Sequence, residues 1–304
     1  MFTQQLINGL ALGAVYALIA LGYTMVYGIL QLINFAHGEV YMLGAYLGII
    51  VLGVLTALGL PSFSLVLTIV ITLAVSMLFC ASYGATIERL AYRPLRKADR
   101  LSPLISAVGM STFLQNYVML TQGKDKLDFP SAFRDLLTKV KFEFLGASVN
   151  LLEVFIVLVS IALMVGLHLF VTRATLGKAM RATSQDKKMA GLSGIDVDRV
   201  ISVTFVVGSS LAAAAGLMVS MYEVSTRYDR GYMIGLKAFT AAVLGGIGNI
   251  PGAMLGGFLL GLVESVGVWQ LSPDYKDVYA FAVLIIVLVA RPTGLLGERV
   301  AEKV

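Results

Sequence analysis

Charge is what this chain lacks most. Of its 304 residues, 13% are Asp, Glu, Lys or Arg. A soluble domain carries about 25%, so a water-facing surface cannot be built from this composition. Cysteine is almost absent, and the single Cys80 excludes an intrachain disulfide. Histidine occurs twice, at His37 and His168, which leaves no set for a metal centre. No GxxxxGK[ST] run is present, so the chain has no P-loop to cradle ATP. Neither HExxH nor GxSxG occurs, and no nucleophile–base pair presents itself as a catalytic set. The first residues carry no Lys or Arg and no cleavage signature, so the first apolar run reads as a retained span.

What remains is apolar. Hydrophobic residues make up 58% of the chain, in runs of about 20 that each suit one helical crossing of the hydrocarbon core. In lipid the backbone must satisfy its own hydrogen bonds, which favours helices. The runs are continuous, unlike the alternating ten-residue segments of a barrel. The fold class expected is all-α and polytopic, one membrane domain over residues 1–304. About eight embedded segments are expected: 6–30, 39–59, 64–84, 103–121, 151–171, 200–221, 234–268 and 277–290. The net charge of +5 marks loops on the basic side of a membrane, not a nucleic-acid surface.

Lys and Arg density orients the spans. Loop 85–102 holds five basic residues, and 172–199 holds six against three Asp. Arg291, Arg299 and Lys303 lie in the tail. These three regions are expected inside, with 122–149 and 222–233 outside. Parity then requires 234–268 to enter and return. Its Gly245-Gly246-Ile247-Gly248-Asn249-Ile250-Pro251-Gly252 run breaks a helix, so a broken or re-entrant pair is expected there. A second polar break, Gln31 to Glu39, lies in the other half of the chain, the arrangement of a duplicated transporter fold.

Glycines at four-residue spacing (Gly9/Gly13, Gly44/Gly48, Gly252/Gly256, Gly257/Gly261) suit close helix packing. Asn34, His37 and Glu39 are ionisable or polar groups in an apolar setting. They either cap the adjoining helices or face a translocation path. Gln115 and Asn116 sit within a span, as interhelical glue or as path residues. Gly245, Gly246, Gly248 and Asn249 are path candidates at the second break. Glu264 either faces the path or pairs with a base. Residues 188–194 read as a short helix closed by Gly194, an element suited to meeting a soluble partner. A transporter with no ATP site and few buried carboxylates needs energy from such a partner. A stand-alone carrier or channel for small amphipathic solutes is the alternative.

Four stretches carry a family resemblance: GLALGAVYALIALGYTMVYGILQLINFAHGE at 9–39, IERLAYRPLR at 87–96, GGIGNIPGAMLGG at 245–257 and RPTGLLG at 291–297. The chain resembles permease subunits of branched-chain amino acid ABC importers, in particular the H-type subunits of the bacterial high-affinity leucine/isoleucine/valine system. The resemblance implies a multi-pass inner-membrane protein that is not itself an enzyme and binds no cofactor, ATP being bound by partners. Those partners would be a second homologous permease, two ABC ATPase subunits and a periplasmic branched-chain amino acid binding protein. It also implies that 172–199 docks on the ATPase, through Gln185, Lys188, Met189, Ala190, Gly191 and Gly194. Of the family's E-A-A-x3-G pattern, only Ala190 and Gly194 are kept.

Overall fold

A computed structural model describes residues 2–297, except Lys97, Arg100, Val140 and Leu145. The basic residues Arg299 and Lys303, read above as part of the inner tail, lie outside the described residues. The chain is helical nearly throughout. In order come α1 (Phe2–Leu30), α2 (His37–Ala57), the short α3 (Leu60–Phe63), α4 (Leu65–Ile87), α5 (Leu101–Gln122), α6 (Ser131–Thr138), α7 (Leu151–Arg173), α8 (Thr175–Gln185), α9 (Lys187–Leu192), α10 (Val197–Glu223), α11 (Arg230–Gly245), α12 (Ile250–Gln270) and α13 (Lys276–Ala290). Strands are confined to loops. β1 (Leu127–Asp128) pairs with β4 (Ser225–Thr226), and β2 (Lys141–Phe144) with β3 (Ala147–Asn150), both antiparallel.

Among the described residues, six helices are long and apolar enough to cross a membrane: Phe2–Leu30, His37–Ala57, Leu65–Leu95, Leu151–Arg173, Val197–Glu223 and Ile250–Gln270. They are not equivalent. In its most apolar stretch α1 is 89% buried, and α4 and α7 are 28% buried. A helix greasy all round and covered on every side is a core helix. α1 is therefore the hub, and α4 and α7 turn large apolar side chains such as Leu78, Phe79 and Leu158 outward.

Small residues set how closely the hub is wrapped. Gly257 and Gly261 of α12 lie against Ala17 and Gly13 of α1, so an added Cβ would strike backbone. Gly44 lies on Ala213, and Gly48 on the Leu217 side chain. All four glycine pairs at four-residue spacing sit in such contacts, as expected.

Two groups of loops gather at opposite ends. At one end Gly28 faces Gly248, Arg96 pairs with Asp198, and the Lys187 ammonium points at the Leu30 carbonyl. The tail joins them there: Leu295 and Leu296 donate their N–H groups to the carbonyls of Leu244 and Gly245. At the other end Phe2 meets Trp269, the Ser148 N–H donates to Gln4, and β1 pairs with β4. The segments 85–96, 172–199 and 291–297 thus share one end, and 122–149 and 222–229 the other.

Both polar breaks are real interruptions. α11 and α12 pack antiparallel across Gly246–Asn249, with Gly245 on Gly252 and Lys237 beside Glu264. Gly246 (φ 109°) and Gly248 (φ 94°) take a backbone region that β-carbon-bearing residues avoid. The other break folds back into the protein. His37, at the start of α2, packs on Gly22 of α1. At 1.5 Å per residue, that is about 12 Å in from the end of α1.

Candidate functional site

The polar loop between α7 and α10 is ordered. α9 spans Lys187–Leu192, one residue longer at its start than the 188–194 reading and ending two residues earlier. Asp186 begins it by accepting the N–H groups of Lys188 and Met189, a standard N-cap. Gly194 closes it at φ 85°, and the Ile195 N–H returns to the Ala190 carbonyl. Ala190 is the one buried residue of the helix and anchors it. Gln185 ends α8 and, like Lys188 and Gly191, is exposed. Met189 and Leu192 are 62% and 84% exposed on this otherwise polar loop. Two bare apolar side chains, three residues apart, thus stand on this short helix, which polar loops rarely show. Leu192 escaped sequence reading, although its signal was present: one Leu beside a Gly in a Lys-rich loop.

Asn34, His37 and Glu39 are all buried. The capping alternative does not hold for Asn34. The residue at the N-cap position of α2 is Ala36, with no side-chain cap. Asn34 instead accepts the Tyr92 hydroxyl at 2.8 Å, tying the break to the helical turn Glu88–Tyr92 that follows α4. A capping side chain must sit at the residue entering the helix, and the turn at 34–37 places Asn34 too early. His37 packs edge-on to Tyr23. Glu39 accepts the Ser111 hydroxyl of α5 at 3.0 Å, beside the start of α11 at Gly231. Three helices therefore converge on Glu39.

α5 carries Gln115 and Asn116. Asn116 is exposed, its amide turned back to the Thr112 carbonyl. With exposed Gly109 and Thr112 and half-exposed Gln115, it makes a polar face that no other described residue of this chain covers. The interhelical-glue alternative within the chain therefore does not describe Asn116. Exposed Phe113 and Tyr117 stack beside it.

At the second break, Gly245 and Gly246 are buried against Gly252 and the tail residues Gly294 and Gly297. Asn249 caps α12 by accepting the Gly252 N–H at 2.9 Å, and its amide donates to the Leu296 carbonyl. Gly248 lines a cavity of about 80 Å³ with Thr24 and Arg181. Among the described residues, no side-chain hydrogen bond or ion pair joins the two sets of path candidates.

Glu264 pairs with bases. Its carboxylate lies 3.2 Å from the Lys237 ammonium and 3.3 Å from that of Lys276, and it accepts the Tyr16 hydroxyl at 2.9 Å. Lys237 also meets Asp277 at 2.7 Å, and Lys276 reaches Glu223. The Glu264 partners Tyr16, Lys237 and Lys276, with Glu223 and Asp277, line a cavity of about 370 Å³ at the end bearing β4. Asp229 sits at its rim, its carboxyl held below the usual range by a hydrogen bond from Arg227. Lys237 was missed in sequence. It and Glu264 are the only charged residues in 234–268, and a lone acid and a lone base buried in lipid are expected to find each other.

This is an apolar helical scaffold with a buried polar seam and an exposed short helix in its longest polar loop. The sequence pattern described as "Branched-chain amino acid transport system / permease component" matches residues 5–288. The chain is 48% identical to the high-affinity branched-chain amino acid transport system permease protein BraD of Pseudomonas aeruginosa, over 100% of this chain and 98% of that one. It is 47% identical, with the same coverage, to the permease protein LivH of the corresponding system in Escherichia coli K12. It is 26% identical to the autoinducer 2 import system permease protein LsrD of Salmonella paratyphi B, over 83% of this chain and 74% of that one. The chain is a multi-pass membrane protein, and it belongs to the family of branched-chain amino acid transport system permease components.

Proposed function

We propose that the chain is the H-type permease subunit of an importer that carries leucine, isoleucine and valine across the bacterial inner membrane. Two ABC ATPases bind and hydrolyse the ATP, so this subunit needs no cofactor. A second homologous permease completes the path, and a periplasmic binding protein delivers the cargo. Full-length identity of 47–48% to two high-affinity branched-chain amino acid permeases supports this.

In this reading the end bearing α8, α9 and the basic loops is cytoplasmic, by the excess of Lys and Arg. α5, α11 and α13 join the six long helices as embedded segments. The α11–α12 pair enters and returns, its break packed on protein as a membrane requires. Loop 172–199 couples the permease to the ATPase through α9, with Gln185, Lys188, Met189, Ala190, Gly191 and Gly194 around the contact.

The path runs along the polar face of α5, Gln115 and Asn116, backed by Glu39, His37 and Asn34. An amide left bare in hydrocarbon costs several kcal/mol, so this face belongs against the second permease or a water-filled path. Gly245, Gly246, Gly248 and Asn249 act at its inner end as a hinge.

The observation that carries the coupling role is the rigid α9 with bare Met189 and Leu192. Co-purification tests it. Deletion of Lys187–Gly194 is expected to abolish ATPase association while membrane insertion persists. Retained association would overturn the assignment.

A further inference from the structure

The outward sides of α4, α7 and α10 enclose a groove that contains none of the path candidates. It measures about 320 Å³ and runs between Met77 of α4, Ala162, Gly166 and Phe170 of α7, and Val207 and Leu211 of α10. Ser210 brings the one polar side chain on its wall among the described residues, and that hydroxyl already donates to the Val206 carbonyl at 2.9 Å. The groove therefore offers nothing to water or to a polar solute and suits hydrocarbon. It is open: a Cβ added at Gly166 would meet nothing within 4 Å. The neighbouring Val165 and Leu169 of α7 are exposed, so this side of the bundle faces the bilayer.

One end of the groove is basic. Ala162 is the midpoint of α7 (Leu151–Arg173), and Phe170 lies about 12 Å further along it. That is most of one leaflet, since the whole hydrocarbon core is roughly 30 Å thick. Arg173 follows Ala162 by about three helical turns, so it returns to the same side of α7 just past the groove. α10 runs antiparallel to α7, with Ser160 on Met218 and Phe170 across from Val207. Arg199 precedes Ser210 by about three turns and so lies toward the same end. Both arginines are exposed, and neither guanidinium has a hydrogen-bond or ion-pair partner among the described residues. The acids next to Arg199 are committed elsewhere: Asp196 caps α10, and Asp198 holds Arg93 and Arg96. Free guanidiniums at headgroup level beside an apolar groove complement a phosphodiester carrying an acyl chain. We propose that the groove holds an acyl chain of one anionic phospholipid, with its phosphate on Arg173 and Arg199. Placing that lipid in the inner leaflet rests on the orientation given above. The two arginines stand at opposite ends of loop 172–199, so one headgroup would tie both ends of the coupling loop to the bundle.

The test uses the assembled complex of both permeases and both ATPases in detergent. Phosphatidylglycerol bearing a photoreactive diazirine on its acyl chain is titrated in, and crosslinks to α7 and α10 around the groove are located by peptide mass spectrometry. The parent is compared with Arg173→Gln, Arg199→Gln, Gly166→Phe and Lys178→Gln. Each arginine variant loses a charge-assisted contact, so half-maximal labelling is expected to need about tenfold more lipid. Gly166→Phe fills the groove without touching a charge and is expected to lower labelling similarly. The arginine variants leave the apolar wall intact, so the test survives if Gly166→Phe fails to assemble. Lys178→Gln removes an exposed base of the same loop that does not line the groove, and is expected to label as the parent does. Labelling of both arginine variants at the parental concentration would overturn the proposal. So would an equal shift in Lys178→Gln, which would mean diffuse attraction to the basic loop, or equal labelling by the matching phosphatidylcholine, which would mean an apolar groove with no headgroup site. Absence of groove crosslinks in the parent would also overturn it and give this face to the second permease. ATP-driven uptake by the parent complex reports separately on the importer function, so the two ideas fail in different measurements.

Discussion

Lys237 and Glu264 meet 3.2 Å apart inside the bundle, with side chains 5% and 0% exposed, and join α11 to α12 above their shared break. Lys276 and Tyr16 share the same carboxylate, so α13 and α1 are drawn into one network. Removing one member strands the others in low dielectric, at a cost of about 3–5 kcal/mol for a fully broken pair. The surviving contacts of Glu264 soften this. Lys237→Met is expected to lower the melting temperature of the purified protein, and Lys237→Met/Glu264→Gln to lower it less than the two single changes summed. Strict additivity would show that the pair does not interact.

Glycine positions divide into two kinds. At Gly256 an added Cβ would overlap the Ala241 carbonyl; at Gly53 it meets nothing within 4 Å. Gly256→Ala is expected to force α11 and α12 apart, costing about 1–3 kcal/mol as overpacking does. Gly53→Ala is expected to be neutral or slightly stabilising, since helical Ala exceeds Gly by about 1 kcal/mol. Detergent melting curves compare them, and equal effects would remove the packing explanation.

At α9 the cap and the exposed side chains do different jobs. Asp186→Ala is expected to cost about 1 kcal/mol of local helix stability and to weaken ATPase co-purification partly. Leu192→Glu leaves the helix intact and puts a charge on its bare face, so association should fall further. If Leu192→Glu bound ATPase normally, the docking patch would lie elsewhere on the loop.

The sequence made the fold largely readable because lipid imposes one rule. Apolar runs of the right length become helices, and the eight segments named from hydropathy each coincide with a helix or the α11–α12 pair. The break at Gly246–Asn249 was legible because two glycines and a proline leave few alternatives. Less was legible of partnership. Asn34 reads as a cap by its position before α2, yet its partner is Tyr92, 58 residues away. Lys237 has no local signal beyond being the lone base of its segment. Tertiary pairings of this sort follow from helix packing, which local pattern does not encode. The bareness of Leu192 and Asn116 likewise depends on what the rest of the chain leaves uncovered.

The exposed face of α5 separates lipid from path directly. Were Asn116 lipid-facing, Asn116→Leu would remove a costly group and be neutral or stabilising. Against a path or a second permease, the same change is expected to cut leucine uptake several-fold in membranes with normal subunit levels. Uptake assays on matched expression distinguish the two.

The dependence of flux on partners bears most directly on the whole account. Liposomes holding this chain alone, and liposomes holding it with the second permease, both ATPases and the binding protein, are compared for uptake of labelled L-leucine with and without ATP. Uptake is expected only in the complete assembly and only with ATP. Leucine flux through the lone chain would contradict the importer reading and return the chain to the class of independent carriers.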